Sequence, residues 1–373
     1  MSEDDGEPGR LLGAHMPTAG GPASSLVSGH KIGCTAVQLF TGNPRQWAHP
    51  PLRDEAIDAF REARQATGIG CVVAHDSYLI NLAAPDFEIL DRSRKAFRRE
   101  LERADALGIP WVVTHMGAHL GSGEEMGLEV LTASVLGLLD ETEGMCAGIA
   151  LENTAGQGTC LGWRFEHLAR VMEGAGAHVR LGACFDTCHA FAAGYDVSSP
   201  EGYEATIERL AAVVGLQALK VVHANDAKRP LGSRVDRHEH IGRGYIGMAA
   251  FARLLRDERL RRVPVIVETP DAETMHRVNV ARLRRLAAGG TMGVQVKVRF
   301  FGHFSEMGLD GLELDVPGGS TVAGLASEIA SRDARFERLA RYCRAAVNEE
   351  YAGSDAVLQE GDEVAFIPPM SGG

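Results

Sequence analysis

This sequence of 373 residues has no apolar run near the ~20 residues that a membrane-spanning helix requires, so a helical membrane anchor is excluded from the expectations. It also lacks a disulfide framework. Its seven cysteines are odd in number and fall at no framework spacing, so reduced thiols are expected, as in a cytoplasm. No secretory leader opens it: MSEDDGEPGR is acidic and polar, and residues 1–10 are read as a polar N-terminal extension of a cytoplasmic protein. Finally, it lacks an excess of positive charge, with 38 Lys and Arg against 50 Asp and Glu for a net charge of −12. Taken alone, that balance argues against a nucleic-acid partner, because phosphate binders usually carry a basic footprint.

What is present is an ordinary globular composition, 45% hydrophobic and 24% charged, on a chain long enough for two domains. A seam lies at LRRLAAGGTMGVQVKVRF. A helical, Arg-rich pattern ends at Ala287 and Ala288, Gly289 and Gly290 form a helix-ending flexible pair, and VQVKVRF (294–300) alternates apolar and polar residues as a fresh strand. Residues 11–288 and 293–373 are therefore expected to be separate domains joined by a linker at 289–292.

Before the seam a rhythm appears. Eight apolar runs recur: LLGAHM (11–16), TAVQLF (35–40), CVVAH (71–75), WVVTH (111–115), GIALENT (148–154), VRLGACFD (179–186), ALKVVHAND (218–226) and VPVIVET (263–269). Amphipathic stretches such as EILDRSRKAFRRELERADALG separate most of them. Strand and helix alternating eight times over about 280 residues is what a (β/α)8 barrel, a TIM barrel, requires, and continuous apolar runs suit parallel strands buried on both faces.

Most of these runs end in a residue type that ligates metal. In order these are His15, His75, His115, Glu152, Asp186, His223 and Glu268; His189 follows Asp186 by three residues, and Asp236 and His238 lie in GSRVDRHEH. In a (β/α)8 barrel the C-terminal strand ends form one rim, so residues scattered from 75 to 268 would converge on one mouth. A lone histidine at a strand end is more often a hydrogen-bonded residue than a ligand, but a glutamate closing an apolar strand is costly unless paired or metal-bound. His, Asp and Glu without Cys suit a catalytic metal with exchangeable positions. In CFDTCHAFAAGYD (184–196), Cys184 shares its strand face with Asp186 and points inward one layer below it, and Cys184 and Cys188 are read as packing residues.

HDSYLINLA (75–83), LENTAGQG (151–158), CFDTCHAFAAGYD (184–196), HANDAK (223–228), GSRVDRHEHIG (232–242) and LFTGNPRQW (39–47) resemble the endonuclease IV family of apurinic/apyrimidinic endonucleases, from about Gly13 to Leu286. The resemblance implies a DNA-repair barrel holding three zinc ions. His75, His115 and a bridging Glu152 would serve the first; Glu152, Asp186, His223 and Glu268 the second; His189, Asp236 and His238 the third. Glu152, Asp186 and Glu268 are the residues on which catalysis would turn. It further implies hydrolysis of the phosphodiester 5′ to an abasic site in duplex DNA, leaving a 3′-hydroxyl and a 5′ deoxyribose phosphate. Asn43 and Arg45 would contact the DNA, with Tyr78 beside the abasic sugar. The barrel is expected to act as a monomer, without a membrane partner. The charge objection softens: before residue 293 there are 31 Lys and Arg against 37 Asp and Glu, a balance of −6 that three divalent ions would offset at the mouth. Two other readings use parts of the same chain, a metal-dependent sugar isomerase on the same barrel type and a non-enzymatic sulfur-relay scaffold.

The second segment reads as strand (VQVKVRFF), strand (GLELDVPGG), helix (TVAGLASEIASR), a further helical stretch (RFERLARYC) and late strands (AAVNEEY, DEVAFIPP), a ubiquitin-like β-grasp order. Its end, EGDEVAFIPPMSGG, resembles the small subunit of molybdopterin synthase. That resemblance implies a sulfur carrier whose terminal Gly372-Gly373 threads into enzyme sites, Gly373 being adenylated by an activating enzyme and carrying sulfur to the synthase's large subunit as a thiocarboxylate.

Overall fold

In the computed structural model, residues 9–289, 293–301, 311–317, 320–333, 335–336, 343–359 and 361–367 are described. The chain divides into two compact units, Met1–Ala287 and Ala288–Gly373. Among the described residues no helix is long and apolar enough to cross a membrane.

The first unit is a closed barrel of eight parallel strands. They are β1 (Leu12–His15), β2 (Ala36–Phe40), β3 (Cys71–His75), β4 (Trp111–His115), β5 (Gly148–Glu152), β6 (Leu181–Asp186), β7 (Leu219–His223) and β10 (Val265–Val267), in the order β1-β10-β7-β6-β5-β4-β3-β2. A short antiparallel pair, β8 (Asp226–Ala227) and β9 (His238–Glu239), stands between β7 and β10 in the chain. Each of the eight apolar runs contains one barrel strand. Among the described residues nine α-helices accompany them: α1 (Pro22–Lys31), α2 (Asp54–Thr67), α3 (Phe87–Ala106), α4 (Glu124–Glu141), α5 (Phe165–Gly174), α6 (Thr187–Ala193), α7 (Pro200–Val213), α8 (Met248–Arg256) and α9 (Ala272–Ala287). The longest, α3, is started by Asp86, whose carboxylate accepts the Ile89 N–H at 2.9 Å.

Strand alternation sorts the side chains. Val37, Leu39, Val72, Ala74, Val112, Ile149, Leu151, Phe185 and Val222 pack outward into the large core beneath the helices. Ala36, Val73, Val113, Ala150, Cys184, Val221 and Ile266 point inward and form a second, smaller cluster inside the barrel. On β1 this inward position is Gly13, where a Cβ would stand 1.6 Å from the Ala36 carbonyl oxygen, so only glycine fits. Two residues beyond each of these eight positions, the pleat brings another inward side chain nearer the C-terminal rim.

The second unit has a five-stranded mixed sheet of β11 (Gly293–Phe300), β12 (Leu312–Pro317), β13 (Arg344–Val347), β14 (Glu350–Ala352) and β15 (Glu363–Ile367), ordered β12-β11-β15-β13-β14, with helix α10 (Val322–Arg332). Within this sheet only the β11–β15 pair is parallel. This is the β-grasp arrangement. Val296, Val298, Phe300, Leu314, Val316, Leu325, Ile329 and Phe366 build its core. AAVNEEY, expected as one strand, is a hairpin instead. Asn348 and Glu349 take φ of 49° and 68°, the left-handed conformation of a two-residue turn, and Val347 pairs with Glu350. Most of the helical stretch expected at RFERLARYC, linker residues 290–292, and Gly372 and Gly373 lie outside the described residues.

Candidate metal centre

The eight side chains one pleat above the apolar interior set are His15, Gln38, His75, His115, Glu152, Asp186, His223 and Glu268. Parity and strand ends thus deliver six of the nine expected ligands to one mouth. The other three come from segments beyond the strand ends. The Asp186 carboxylate caps α6 by accepting the His189 N–H at 2.7 Å, which fixes His189 over the mouth. The β8–β9 pair carries Asp236 and His238 back to the same place.

These nine residues come together in three candidate metal-holding groups, and two further overlapping groups bring in Cys184 and Cys188. His75 Nε2 and His115 Nε2 stand 3.3 and 3.4 Å from Glu152 Oε2. His223 Nδ1 stands 3.0 Å from Glu152 Oε1, 3.1 Å from Glu268 Oε2 and 4.0 Å from Asp186 Oδ2. His189 Nε2 is 3.3 Å from Asp236 Oδ2, while His238 Nε2 is 3.5 Å from Asp236 Oδ1 and 3.8 Å from Asp186 Oδ2. Each group offers ligand atoms clustered closely enough for one ion. Glu152 is common to the first two groups, and Asp186 borders the second and third.

The residues fit metal ions on two grounds. Two ligands about 2.1 Å from one tetrahedral ion lie about 3.4 Å apart, and the separations above cluster at that value. The imidazole tautomers give the second. His75 Nδ1 donates to the Asp76 carbonyl at 3.0 Å, His189 Nδ1 to the Asn153 carbonyl at 2.9 Å, and His238 Nδ1 to the Glu268 carbonyl at 3.1 Å. Their Nε2 lone pairs are therefore turned toward carboxylates, and lone pair facing carboxylate is repulsive unless a cation lies between. His238 Nε2 is buried and has no hydrogen-bond partner among the described residues.

Charge points the same way. Burial opposes the Glu152 and Glu268 carboxylates, yet the His223 imidazole beside both, helped by His115 and His189 at Glu152 and by His15 at Glu268, holds them well below the usual range. Asp236 is likewise depressed against its burial by His189 and His238. Burial opposes the protonated forms of His75, His189 and His223, but Asp76 and Glu152 at the first, Asp186 and Asp236 at the second, and Cys184 with Glu268 and Glu152 at the third raise all three well above the ordinary histidine value. The two cysteines are different: burial pushes the Cys184 thiol up to about 12 and raises that of Cys188 also, which keeps both protonated although each lies near ligand atoms.

The expected DNA-contact residues gather beside this mouth. Tyr78 is 71% exposed, its ring 5.2 Å from that of Phe40, which packs in turn on His15. Asn43 and Arg45 lie exposed in the loop after β2, where Asn43 Oδ1 accepts the Arg45 N–H at 3.0 Å. That loop is pinned from outside. Ser77 Oγ donates to the Pro44 carbonyl at 2.8 Å, and Arg103 of α3 donates to the carbonyls of Thr41 (3.1 Å) and Pro50 (2.6 Å), one at each end. Sequence reasoning missed Arg103 and Gln38. For Gln38 a signal existed: in TAVQLF it stands two places after an interior alanine, the same parity as the six strand-end ligands.

Comparison with known proteins adds to this geometry. Residues 28–286 match the xylose isomerase-like TIM barrel family, and residues 298–373 match the ThiS family. The chain is 52% identical over 280 residues to a probable endonuclease 4 of Chloroflexus aurantiacus, covering 74% of this chain and 98% of that one. The crystal structure of endonuclease IV from Thermus thermophilus superposes with a TM-score of 0.67 at 35% identity, covering 75% of this chain and 99% of that one. A D-tagatose 3-epimerase-like protein matches with a TM-score of 0.56 at 20% identity, which is a likeness of fold alone.

Proposed function

The chain belongs to the endonuclease IV family, and from that premise we propose that its barrel is a zinc-dependent DNA-repair endonuclease that hydrolyses the phosphodiester 5′ to abasic sites in duplex DNA. The products are a 3′-hydroxyl and a 5′ deoxyribose phosphate, the strand break of base excision repair. The observation that carries this reading is the set of three ligand groups linked by shared carboxylates at one barrel mouth. When bound, divalent cations there supply Lewis acidity and neutralise charge on a phosphodiester.

The chain's own residues do the rest. Glu152 ties the first two groups together, and Asp186, fixed by the His189 N–H and by the Asn225 side-chain amide at 2.7 Å, ties the second to the third. Four buried or half-buried carboxylates in one mouth make a site that attracts cations first and, once loaded, phosphate. Tyr78 stands exposed where an unstacked sugar can be met, and Asn43 and Arg45 present polar groups to the backbone or minor groove. An abasic nucleotide lacks stacking, so turning it out of the duplex costs less than turning out an intact one, and the lesion is selected without reading sequence. A sugar isomerase on this barrel has no evident use for the His189–Asp236–His238 group.

The experiment is a nicking assay on a duplex with one tetrahydrofuran abasic analogue, with metal content measured on the same sample. About three zinc per chain and a single cut 5′ to the lesion are expected. Zinc-loaded protein that leaves the duplex intact would sink the nuclease reading.

For the second unit, membership of the ThiS family supports a sulfur carrier, with Gly373 as the carrying residue and an adenylating enzyme and molybdopterin synthase large subunit as partners. Incubation with an activating enzyme, ATP and sulfide should add about 16 Da, the exchange of one Gly373 carboxylate oxygen for sulfur, on a residue with no side chain to bar it from an enzyme site. Labelling that survives deletion of Gly373 would rule the carrier out.

A further inference from the structure

We propose that Gln38 is the positioning residue that decides which nitrogen of His223 meets the metal and that holds Glu268 beside it. The inference rests on the reading of the barrel mouth as a metal centre, not on the substrate.

The Gln38 side chain is fully buried on β2. Its Nε2 lies 2.6 Å from Glu268 Oε1 and 3.0 Å from His15 Nδ1, and its Oε1 lies 2.8 Å from His223 Nε2. The orientation of this amide is set by its neighbours. An ionised carboxylate only accepts, so the atom 2.6 Å from Glu268 is the amide nitrogen. The carbonyl oxygen then faces His223, and a carbonyl also only accepts. His223 must therefore carry its hydrogen on Nε2, and its Nδ1 is left with the lone pair. Nδ1 is the atom surrounded by Glu152, Glu268 and Asp186.

This is the reverse of the other buried ligand histidines. His75, His189 and His238 donate through Nδ1 to backbone carbonyls and turn Nε2 inward. His223 enters from β7 with its ring the other way round, so no carbonyl of its own neighbourhood fixes it. Gln38, 185 residues away in sequence and across the barrel, does so. A flipped amide would lose the donation to Glu268 and set a carbonyl oxygen against that carboxylate at 2.6 Å. Partners of this kind set ring orientation and ligand basicity, and removing them typically costs about 10–100-fold in metal affinity.

The test is Gln38→Met, which keeps length and volume but removes both the donor and the acceptor. Zinc affinity of the full chain is read by chelator competition. One of the three zinc equivalents should weaken about 10–100-fold while the other two keep their wild-type affinity. A Met variant that binds all three as tightly as the wild type overturns the proposal. A second measurement needs no variant: nitrogen-15 NMR of histidine-labelled, zinc-loaded wild-type protein should show His223 protonated at Nε2 and coordinated through Nδ1. Coordination through Nε2 would refute it. Because neither readout uses DNA, a wild-type protein that shows this pattern yet cuts no abasic duplex would sink the nuclease reading and leave the role of Gln38 supported.

Discussion

Two sets of inward side chains on the same eight strands, one pleat apart, have opposite chemistry. The deeper set is Gly13, Ala36, Val73, Val113, Ala150, Cys184, Val221 and Ile266, and each of these residues except Gly13 belongs to the interior apolar cluster. The shallower set, two residues on, is His15, Gln38, His75, His115, Glu152, Asp186, His223 and Glu268. Parity alone decides that both sets point inward; depth decides what they can be. At the deeper level the side chains pack on one another as an apolar cluster, so a charge there would cost on the order of several kcal/mol. One pleat higher, imidazoles and carboxylates face one another in groups that could hold a cation, and there charge is sustainable. The barrel floor is thereby an apolar base beneath the candidate ligand atoms.

The largest expected effect comes from changing one residue in each set and comparing. Glu152→Gln removes a charge common to two ligand groups. Abasic-site cleavage should fall by at least about 10³-fold, and zinc content from about three equivalents to about one, since ligands of a shared site act as a unit. Cys184→Ala, on the adjacent strand in register with Glu152 and one pleat below Asp186, deletes one buried sulfur. It should cost about 1–2 kcal/mol of stability in a urea titration while leaving zinc content at wild-type level. Near-normal cleavage by Glu152→Gln would refute the bridging role. Loss of a zinc equivalent in Cys184→Ala would break the comparison itself, by making the deeper set a party to the metal site.

Much of this is legible in the sequence because barrel strands are local. Eight apolar runs each hold one strand, and a ligand type at the end of a run is a ligand type at the rim. His189 is readable because a helix that starts at Asp186 places residue 189 one turn on. What is not legible is whatever depends on elements far apart in the chain. Gln38 has the parity of the strand-end ligands, but its partners His223 and Glu268 are 185 and 230 residues away, so nothing local says what it holds. Arg103 reads as one more basic residue on an amphipathic helix, and only the folded barrel sets it against the carbonyls of Thr41 and Pro50. The hairpin at Asn348 and Glu349 reads as continuous strand because Glu is an unusual turn residue in the left-handed region.

The smallest effect expected concerns a buried carboxylate that, unlike Glu152, meets a hydroxyl, with His75 acting on it only from a distance. Glu100 of α3 is 3% exposed and meets the Thr41 hydroxyl. Burial drives its pKa up to about 7, with Thr41 and Arg103 opposing the rise, whereas the imidazoles around Glu152 drive that group the other way. The sign for stability comes from linkage. Between an unfolded value near 4.5 and the folded value near 7, the native state holds a proton that the unfolded state has released. The contribution of Glu100 is thus fully present below the unfolded value and is lost as pH rises through about 7. Glu100→Gln keeps the shape and the Thr41 contact and removes the titration. Relative to wild type it should be more stable by about 1–3 kcal/mol at pH ~8, and the difference should shrink to within about 0.5 kcal/mol near pH ~5. Urea titrations of both proteins at the two pH values measure this. A wild type that is instead the more stable protein at the higher pH would mean that Arg103 holds Glu100 ionised, and that buried carboxylates inside and outside the mouth are kept charged by the same device, a facing cation.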